Sequence, residues 1–257
     1  MEDLQSLRVE VEGDVGVVTL ARPPVNAVTQ PMYDEIRRVF TLPDTYLPGA
    51  RVIILAGAGK HFCGGNDLTE FQTLSPVNSI NRMKRIREAF WAIYDSPAPV
   101  VAAVHGVALG TGLALAGSCD LVVAAEGAEF GLPEVAVGIM GGAKHASRLV
   151  PQAMVRYMHL TGAPVAAEEL VRYGGILKVV PRDELMAQAR SIANEMAQHS
   201  PVSLRFAKQS LNAIEYRDLK SGYEYEQSLS GELSSYSDAK EAVSAFFERR
   251  RPQYTGS

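Results

Sequence analysis

An α/β fold with mostly parallel pairing is what this sequence predicts, and three observations predict it. Short continuous apolar runs, "ARVIILAG", "APVVAAVHG" and "CDLVVAAE", read as buried strands. Segments of helical period lie between them, which is the alternation of an α/β domain. After Pro151 the chain is helical in period almost throughout, so strands fill the first half and helices the second.

The elements follow in order. "LRVEVEGDVGVVTLAR" alternates apolar and polar residues and breaks at Gly13-Asp14, predicting a hairpin with strands over 7–12 and 15–21. "PMYDEIRRVF" predicts a short helix with Pro31 early in it, where a missing N–H costs nothing. The strand at 50–57 comes next. "VNSINRMKRIREAFWAIYDS" carries Ile80, Met83, Ile86, Phe90 and Ile93 at spacings of three and four, one apolar face of a helix. Strands at 98–106 and 119–126 follow. "PQAMVRYMHL", "AAEELVRYG" and "RDELMAQARSIANEMAQHS" all have helical period, as do 201–233 and 238–250. Asp238 with Glu241 three residues on has the spacing of a capping box. The expected boundary lies near Pro201. Residues 1–200 form a core, and 201–257 form a helical region too thin to fold alone, which packs on the core or on a neighbouring subunit.

Composition narrows the function classes. The chain has 257 residues, enough to bury a proper core without disulfide staples. Its net charge of −4 and lack of a basic run give no footprint for nucleic acid. The triplet Arg249, Arg250, Arg251 reads as a solvated helix end. Cys63 and Cys119 sit in apolar or glycine-rich surroundings with no CxxC pairing, which points to a reducing compartment. The acidic start "MEDLQSLRVEVEG" does not read as a secretory signal. No run of 18 apolar residues is free of polar interruption, so no membrane span is expected. The location implied is the cytoplasm. No His/Cys/Asp cluster has metal spacing.

Three segments could carry chemistry: "GAGKHFCGGND" (57–67), "HGVALGTGLALAG" (105–117) and "AEFGLPEVAVGIMGGAKHASRL" (128–149). The first two are glycine-rich turns, each following a buried strand and leading into a helix. Such turns expose backbone N–H groups at a helix N-terminus, a site for a negative oxygen. Side by side they could hold one oxyanion from two directions; glycine in such turns also simply permits tight bending. Neither is a nucleotide motif: "GAGKH" lacks the gap and Ser/Thr of a P-loop, and "GTGLALAG" has the wrong third-glycine spacing for a dinucleotide fingerprint.

The strings "GAGKHFCGGNDL", "PVVAAVHGVALGTGLALAGSCDLVVAAEGAEFGLPEVAVGI" and "LTGAPVAAEELVRYGGILKVVP", in that order, resemble the crotonase superfamily of enoyl-CoA hydratases and isomerases. "ARPPVNAV" and "AFFERRRPQY" are similar to the ends of that family. The resemblance implies a crotonase-like spiral of ββα units with a C-terminal helical trimerisation region, as a homotrimer or dimer of trimers. It implies an acyl-CoA thioester as substrate and no cofactor besides the coenzyme A of that substrate. The thioester oxygen would be held by the N–H groups of Asn66, just after Gly64 and Gly65, and of Thr111, just after Gly110. The family usually has glycine where Thr111 stands.

Family hydratases hold one water between two glutamates. Here the first position is Ala114, and the second, after the proline of "FGLPE", is Glu134. An alanine cannot hold or deprotonate water. The expected enzyme therefore has Glu134 as its one proton shuttle, acting at an α- or γ-carbon. Enoyl-CoA isomerisation fits best; hydration, hydrolysis or C–C cleavage with non-standard acid/base groups are its neighbours. A non-catalytic acyl-CoA-binding protein is the alternative from another class. Lys60 and Lys208 are candidate contacts to the CoA phosphates or ribose. His145 is a possible additional site residue, read first as a polar helix residue. Asp67 and Asp120 read as structural acids. Glu70 and Glu88 lie near the variable acyl-side segment, where either could replace the missing carboxylate, but both read first as surface residues.

Overall fold

The structure, a computed structural model, describes residues 3–257. The chain opens with β1 (Leu7–Glu12) and β2 (Val15–Leu20), then α1 (Gln30–Thr41), the single turn α2 (Pro43–Tyr46) and β3 (Val52–Gly57). The short α3 (Leu68–Phe71) and long α4 (Pro76–Tyr94) lead to β4 (Val100–Val104), β5 (Val107–Leu109), α5 (Thr111–Ser118), β6 (Leu121–Ala125) and β7 (Glu129–Gly131). A 3-10 turn at Pro133–Val137 precedes α6 (Ala143–Ala146), α7 (Gln152–Thr161), β8 (Val165–Ala166), α8 (Ala167–Arg172) and β9 (Lys178–Val180). Four helices finish the chain: α9 (Leu185–Ala197), α10 (Pro201–Ile214), α11 (Leu219–Leu233) and α12 (Ser237–Glu248).

The predicted hairpin is present, with Leu7 opposite Leu20 and Glu12 opposite Val15. Gly13 takes a φ of +62°, which its turn demands and which glycine adopts at no steric cost. From β2 onward the main sheet is parallel, in the order β1-β2-β3-β4-β6-β9. A second sheet has the order β5-β7-β8. The chain passes from β4 to β5 and from β6 to β7, so each turn of a spiral leaves one strand in each sheet.

The apolar runs are continuous because the main sheet is covered on both faces. Side chains alternate across it. Ile53, Leu55, Val100 and Ala102 pack with Tyr33, Ile36 and Phe40 of α1, Ile93 of α4 and Leu115 of α5. Val52, Ile54, Val101, Ala103 and Val123 meet Leu185, Ala189, Ala193 and Ala197, a four-residue stripe of α9. Each large aliphatic side chain so buried contributes roughly 1.5–3 kcal/mol.

Two sequence expectations are corrected. The stretch 201–233 is not one helix: it breaks after Ile214, and Asp218 caps α11 by accepting from Lys220 N and Ser221 N. Asp238 is no helix cap, because α12 already starts at Ser237. Its buried carboxylate instead accepts from Ser200 Oγ at 2.7 Å, Thr255 N at 2.8 Å and Gly256 N at 3.1 Å, tying the C-terminal segment down. Glu241 is turned toward Arg250 and Gln253 N. No helix among the described residues is long and apolar enough to cross a membrane.

Candidate active site

The two glycine-rich turns are joined by backbone before any side chain acts. Cys63 N donates to Val107 O, and Leu109 N donates to Cys63 O, each at 3.0 Å. This bridge between the end of one turn and β5 brings the residues after them together. Gly112 is required for it, since a Cβ there would lie 2.3 Å from Cys63 O.

Around the bridge, two N–H groups stay free. Val28 N binds Gly65 O, and Asp67 N binds Val28 O, so the ladder skips Asn66 N. Gly110 N is spent on Gly131 O and Ala114 N on Gly110 O, while Thr111 opens α5 and has no preceding turn to bond. Among the described residues neither Asn66 N nor Thr111 N has a hydrogen-bond acceptor. Gly110 (φ +52°) and Gly65 (φ +111°) supply the backbone conformations that aim these residues. Asp67 fixes the far side of its turn: it caps α3 through Thr69 and pairs with Arg22 at 2.6 Å. Its carboxyl is held below the usual range chiefly by the Thr69 hydroxyl bond, with Arg22 adding to it.

Glu134 enters from the 3-10 turn. It is 6% exposed, and its Oε2 has no hydrogen-bond partner. Its Oε1 lies against the turn, where a Cβ on Gly110 would come within 2.9 Å of it. Burial raises the Glu134 pKa above the ordinary glutamate value. Asn66, Thr111, Ala114 and Glu134 line one cavity of about 330 Å³, walled by Phe71, Leu74, Met83, Ile86, Phe90 and Met140. Glu134 is the one titratable side chain in that lining among the described residues. Ala114, 1% exposed, stands in the wall and brings no second acid. A lone, desolvated carboxylate beside free N–H donors can move a proton at a carbon whose neighbouring oxygen those donors hold.

The other candidates lie elsewhere. Gly64, Gly65 and Gly110 occupy the two turns as expected. Lys60 is exposed and outside the cavity lining. Lys208 is a correction: its ammonium is buried and donates to Ile93 O, Ala98 O and Asp120 Oδ2, so it has nothing left for a CoA phosphate. Asp120 also accepts from Val100 N at 2.7 Å, the structural role its place at a strand start suggested. Neither acid proposed to replace the missing carboxylate lines the cavity. Glu70 binds Gln30 N with both oxygens, and Glu88 faces Arg37 and Lys84. His145 sits beside the site rather than in it. Its ring lies 4.8 Å from that of Phe90, and burial, with Arg148 and Lys144 adding to it, lowers its pKa to about 4. It is therefore neutral at neutral pH.

One residue of the site escaped the sequence reading. Tyr33, fully buried on α1, donates to Asn66 Oδ1 at 2.5 Å and shares a hydrogen bond of 2.7 Å with Thr111 Oγ1. In sequence it is one more apolar position of a helical stripe, and no local signal distinguishes it.

The comparisons with known proteins bear on this geometry. A family model described as enoyl-CoA hydratase/isomerase matches residues 10–257. The chain is 37% identical over 249 residues to a (7aS)-7a-methyl-1,5-dioxo-2,3,5,6,7,7a-hexahydro-1H-indene-carboxyl-CoA hydrolase of Rhodococcus jostii, covering 94% of each. It is 33% identical over 253 residues to a short-chain-enoyl-CoA hydratase of Clostridium acetobutylicum, covering 97% of each. Among solved structures, an enoyl-CoA hydratase of Bacillus anthracis superposes with a TM-score of 0.90 at 30% identity, over 98% of this chain and 100% of that one.

Proposed function

This chain belongs to the enoyl-CoA hydratase/isomerase family, and from that premise we propose that it processes an acyl-CoA through a thioester enolate, with Glu134 as its one proton shuttle. The observation that carries the reading is the unpartnered Glu134 Oε2 in an apolar cavity also lined by Asn66 and Thr111, whose backbone N–H groups have no acceptor among the described residues. Double-bond isomerisation is the reaction this supports best. Glu134 as carboxylate takes a proton from the α- or γ-carbon. The electron pair left behind spreads onto the thioester oxygen, where two N–H donors meet it. Glu134, now a carboxylic acid, returns the proton to the other carbon, and the double bond has moved with no net gain or loss of atoms. Removing one such N–H donor typically costs about 3 kcal/mol in the barrier.

A second reading is hydrolysis, favoured by the Rhodococcus relative, whose name makes it the hydrolase of a CoA-linked bicyclic dione. Glu134 would then take a proton from water as the water oxygen bonds to the thioester carbonyl carbon, and return it to the CoA sulfur as the C–S bond breaks. Hydration, the activity in the names of several relatives, would have to proceed without the second carboxylate, since Ala114 offers none.

The test is proton exchange. Incubation with a saturated acyl-CoA in heavy water is expected to place deuterium at the α-carbon, and Glu134→Gln to abolish it. No exchange with thioester binding intact would overturn the enolate reading in favour of a binding protein or of a reaction that never removes the α-proton. With unsaturated or cyclic substrates, ¹⁸O from labelled water in a newly formed carboxylate marks hydrolysis and ¹⁸O in a new hydroxyl marks hydration, and isomerisation takes up none.

We also propose the homotrimer or dimer of trimers that the family resemblance implies; in its support, Leu219, Phe246 and Phe247 of α11 and α12 are 77–87% exposed, the kind of apolar surface a neighbouring subunit would cover. Lys60 remains a candidate CoA contact. The free, buried Cys63 and Cys119 suit the reducing cytoplasm.

A further inference from the structure

We propose that Tyr33 is a positioning residue that sets the separation of the two oxyanion donors, by clamping the side chains of Asn66 and Thr111 with one phenolic hydroxyl. The inference rests on the reading of those two N–H groups as the oxyanion site.

A buried tyrosine hydroxyl usually finds a partner somewhere. Here both its partners are the residues whose backbone N–H groups are free, and they lie on different turns. Tyr33 has one proton and gives it to Asn66 Oδ1, so its oxygen is left to accept from the Thr111 hydroxyl. The result is a chain of two short hydrogen bonds, Thr111 to Tyr33 to Asn66, that ties together the two residues of the proposed oxyanion site. The backbone bridge at Cys63 fixes the turns on one side of the two donors. The clamp fixes them on the side-chain side.

The clamp is itself anchored. Tyr33 is on α1, whose first N–H, that of Gln30, is held by both oxygens of Glu70 on α3, the helix that begins two residues after Asn66. Asn66, α3, α1 and Tyr33 thus close a loop of contacts that shares no member with the Cys63 bridge. The clamp also assigns a use to the threonine that stands where the family usually has glycine. Its hydroxyl is drawn to Tyr33 and is not left free in the cavity, and its N–H stays available. Two donors act on one oxygen only if their spacing suits it, and displacements near 1 Å can cost about a hundredfold in rate.

The experiment compares wild type, Tyr33→Phe, Thr111→Val and the double variant, each folded as judged by its unfolding midpoint. Turnover and affinity for a saturated acyl-CoA are measured, with the infrared carbonyl stretch of that ligand labelled with ¹³C at the thioester carbon. In wild type the stretch of the bound thioester is expected to fall below its value in water. Tyr33→Phe is expected to lower kcat by about tenfold to a hundredfold, to leave thioester affinity within about twofold, and to return the stretch toward its free value. Thr111→Val breaks the same chain and is expected to do the same, with the double variant no worse than either single one. If Tyr33→Phe does not fold, Thr111→Val carries the test alone.

An unchanged stretch and kcat in the single variants would overturn the inference, as would a rise in KM alone or additive losses in the double variant. No lowering of the stretch in wild type would overturn the oxyanion reading beneath it, and the inference with it.

Discussion

Asp120 and Glu134 are both withdrawn from water, Asp120 only in part, and the protein treats them differently. Asp120, at the foot of β6, is surrounded by donors: Val100 N at 2.7 Å and the Lys208 ammonium at 2.8 Å, the latter also bound to two carbonyls. Glu134, in the wall of the cavity, is nearly as enclosed as any core residue and leaves one carboxylate oxygen with no partner. An acid whose oxygen is met by an ammonium and a backbone N–H is a clasp, and here it joins α10 to the strand ends. A buried acid left short of partners destabilises the fold, and such groups persist where the chemistry uses them. Hydrogen-bond partners and depth of burial together separate the two roles.

The sharpest way to break this comparison is to remove each acid's defining feature in turn. Glu134→Gln keeps the shape and removes the base. Its exchange and turnover are expected to fall by roughly 10²–10⁴-fold, with the fold intact by circular dichroism. Lys208→Met should do the opposite. Stripping the cation leaves Asp120 Oδ2 and two carbonyls short of a donor and is expected to cost about 1–3 kcal/mol in denaturant unfolding. At a temperature where the variant is folded, its kcat should match wild type. Loss of kcat with stability unchanged would show that Lys208 serves the reaction and is no clasp.

Ala114→Glu sharpens the comparison by adding a second acid to the same cavity. Hydration of a short 2-enoyl-CoA is expected to rise above the wild-type rate, because two carboxylates can hold one water. Overpacking should cost about 1–3 kcal/mol. A folded variant with no gain would show that the cavity does not admit water to that position.

The mildest effects are in pH. Because Glu134 titrates above the ordinary glutamate range, kcat/KM should fall on acidification at a pH above that range, as the base takes up its proton. The raised pKa also acts on stability. Below the unfolded glutamate pKa of about 4.3 the group is neutral in both states. As pH rises toward the raised folded value, the unfolded chain ionises first and is favoured. Wild type should therefore lose stability relative to Glu134→Gln across that window, by about 1.4 kcal/mol for every tenfold by which folding weakens the acid. Thermal unfolding of both proteins from acid to neutral pH measures it, and parallel curves would count against a desolvated Glu134.

The architecture was legible in sequence wherever a local pattern had one physical meaning. The runs at Val52–Gly57, Val100–Val104 and Leu121–Ala125 read as buried strands because a sheet covered on both faces accepts apolar residues at every position. The Gly13 turn and the stripe of α4 were equally direct. Breaks and caps were less so. The helix reading ran through residues 215–218, where helical period continues but Asp218 can cap a new start, and Asp238 had the spacing of a cap while its burial sends its carboxylate to Thr255 and Gly256.

The candidate site divides the same way. Sequence alone determined which residue types stand at the turns: the glycines that expose Asn66 and Thr111, Glu134 after its proline, and alanine at 114. Those are covalent facts: the glycine turns suggest an oxyanion, and the one base is what the family resemblance implies. Only the tertiary structure decided which polar groups are spent. Lys208 is consumed by Asp120 and two carbonyls, Glu70 by the first N–H of α1, and His145 lies against Phe90 outside the cavity. Tyr33 is brought to both donor turns by a helix that begins 36 residues before Asn66. Hydrogen bonds are directional and short in range, so a residue's partners are fixed by contacts between distant segments, and no local pattern of residues contains them.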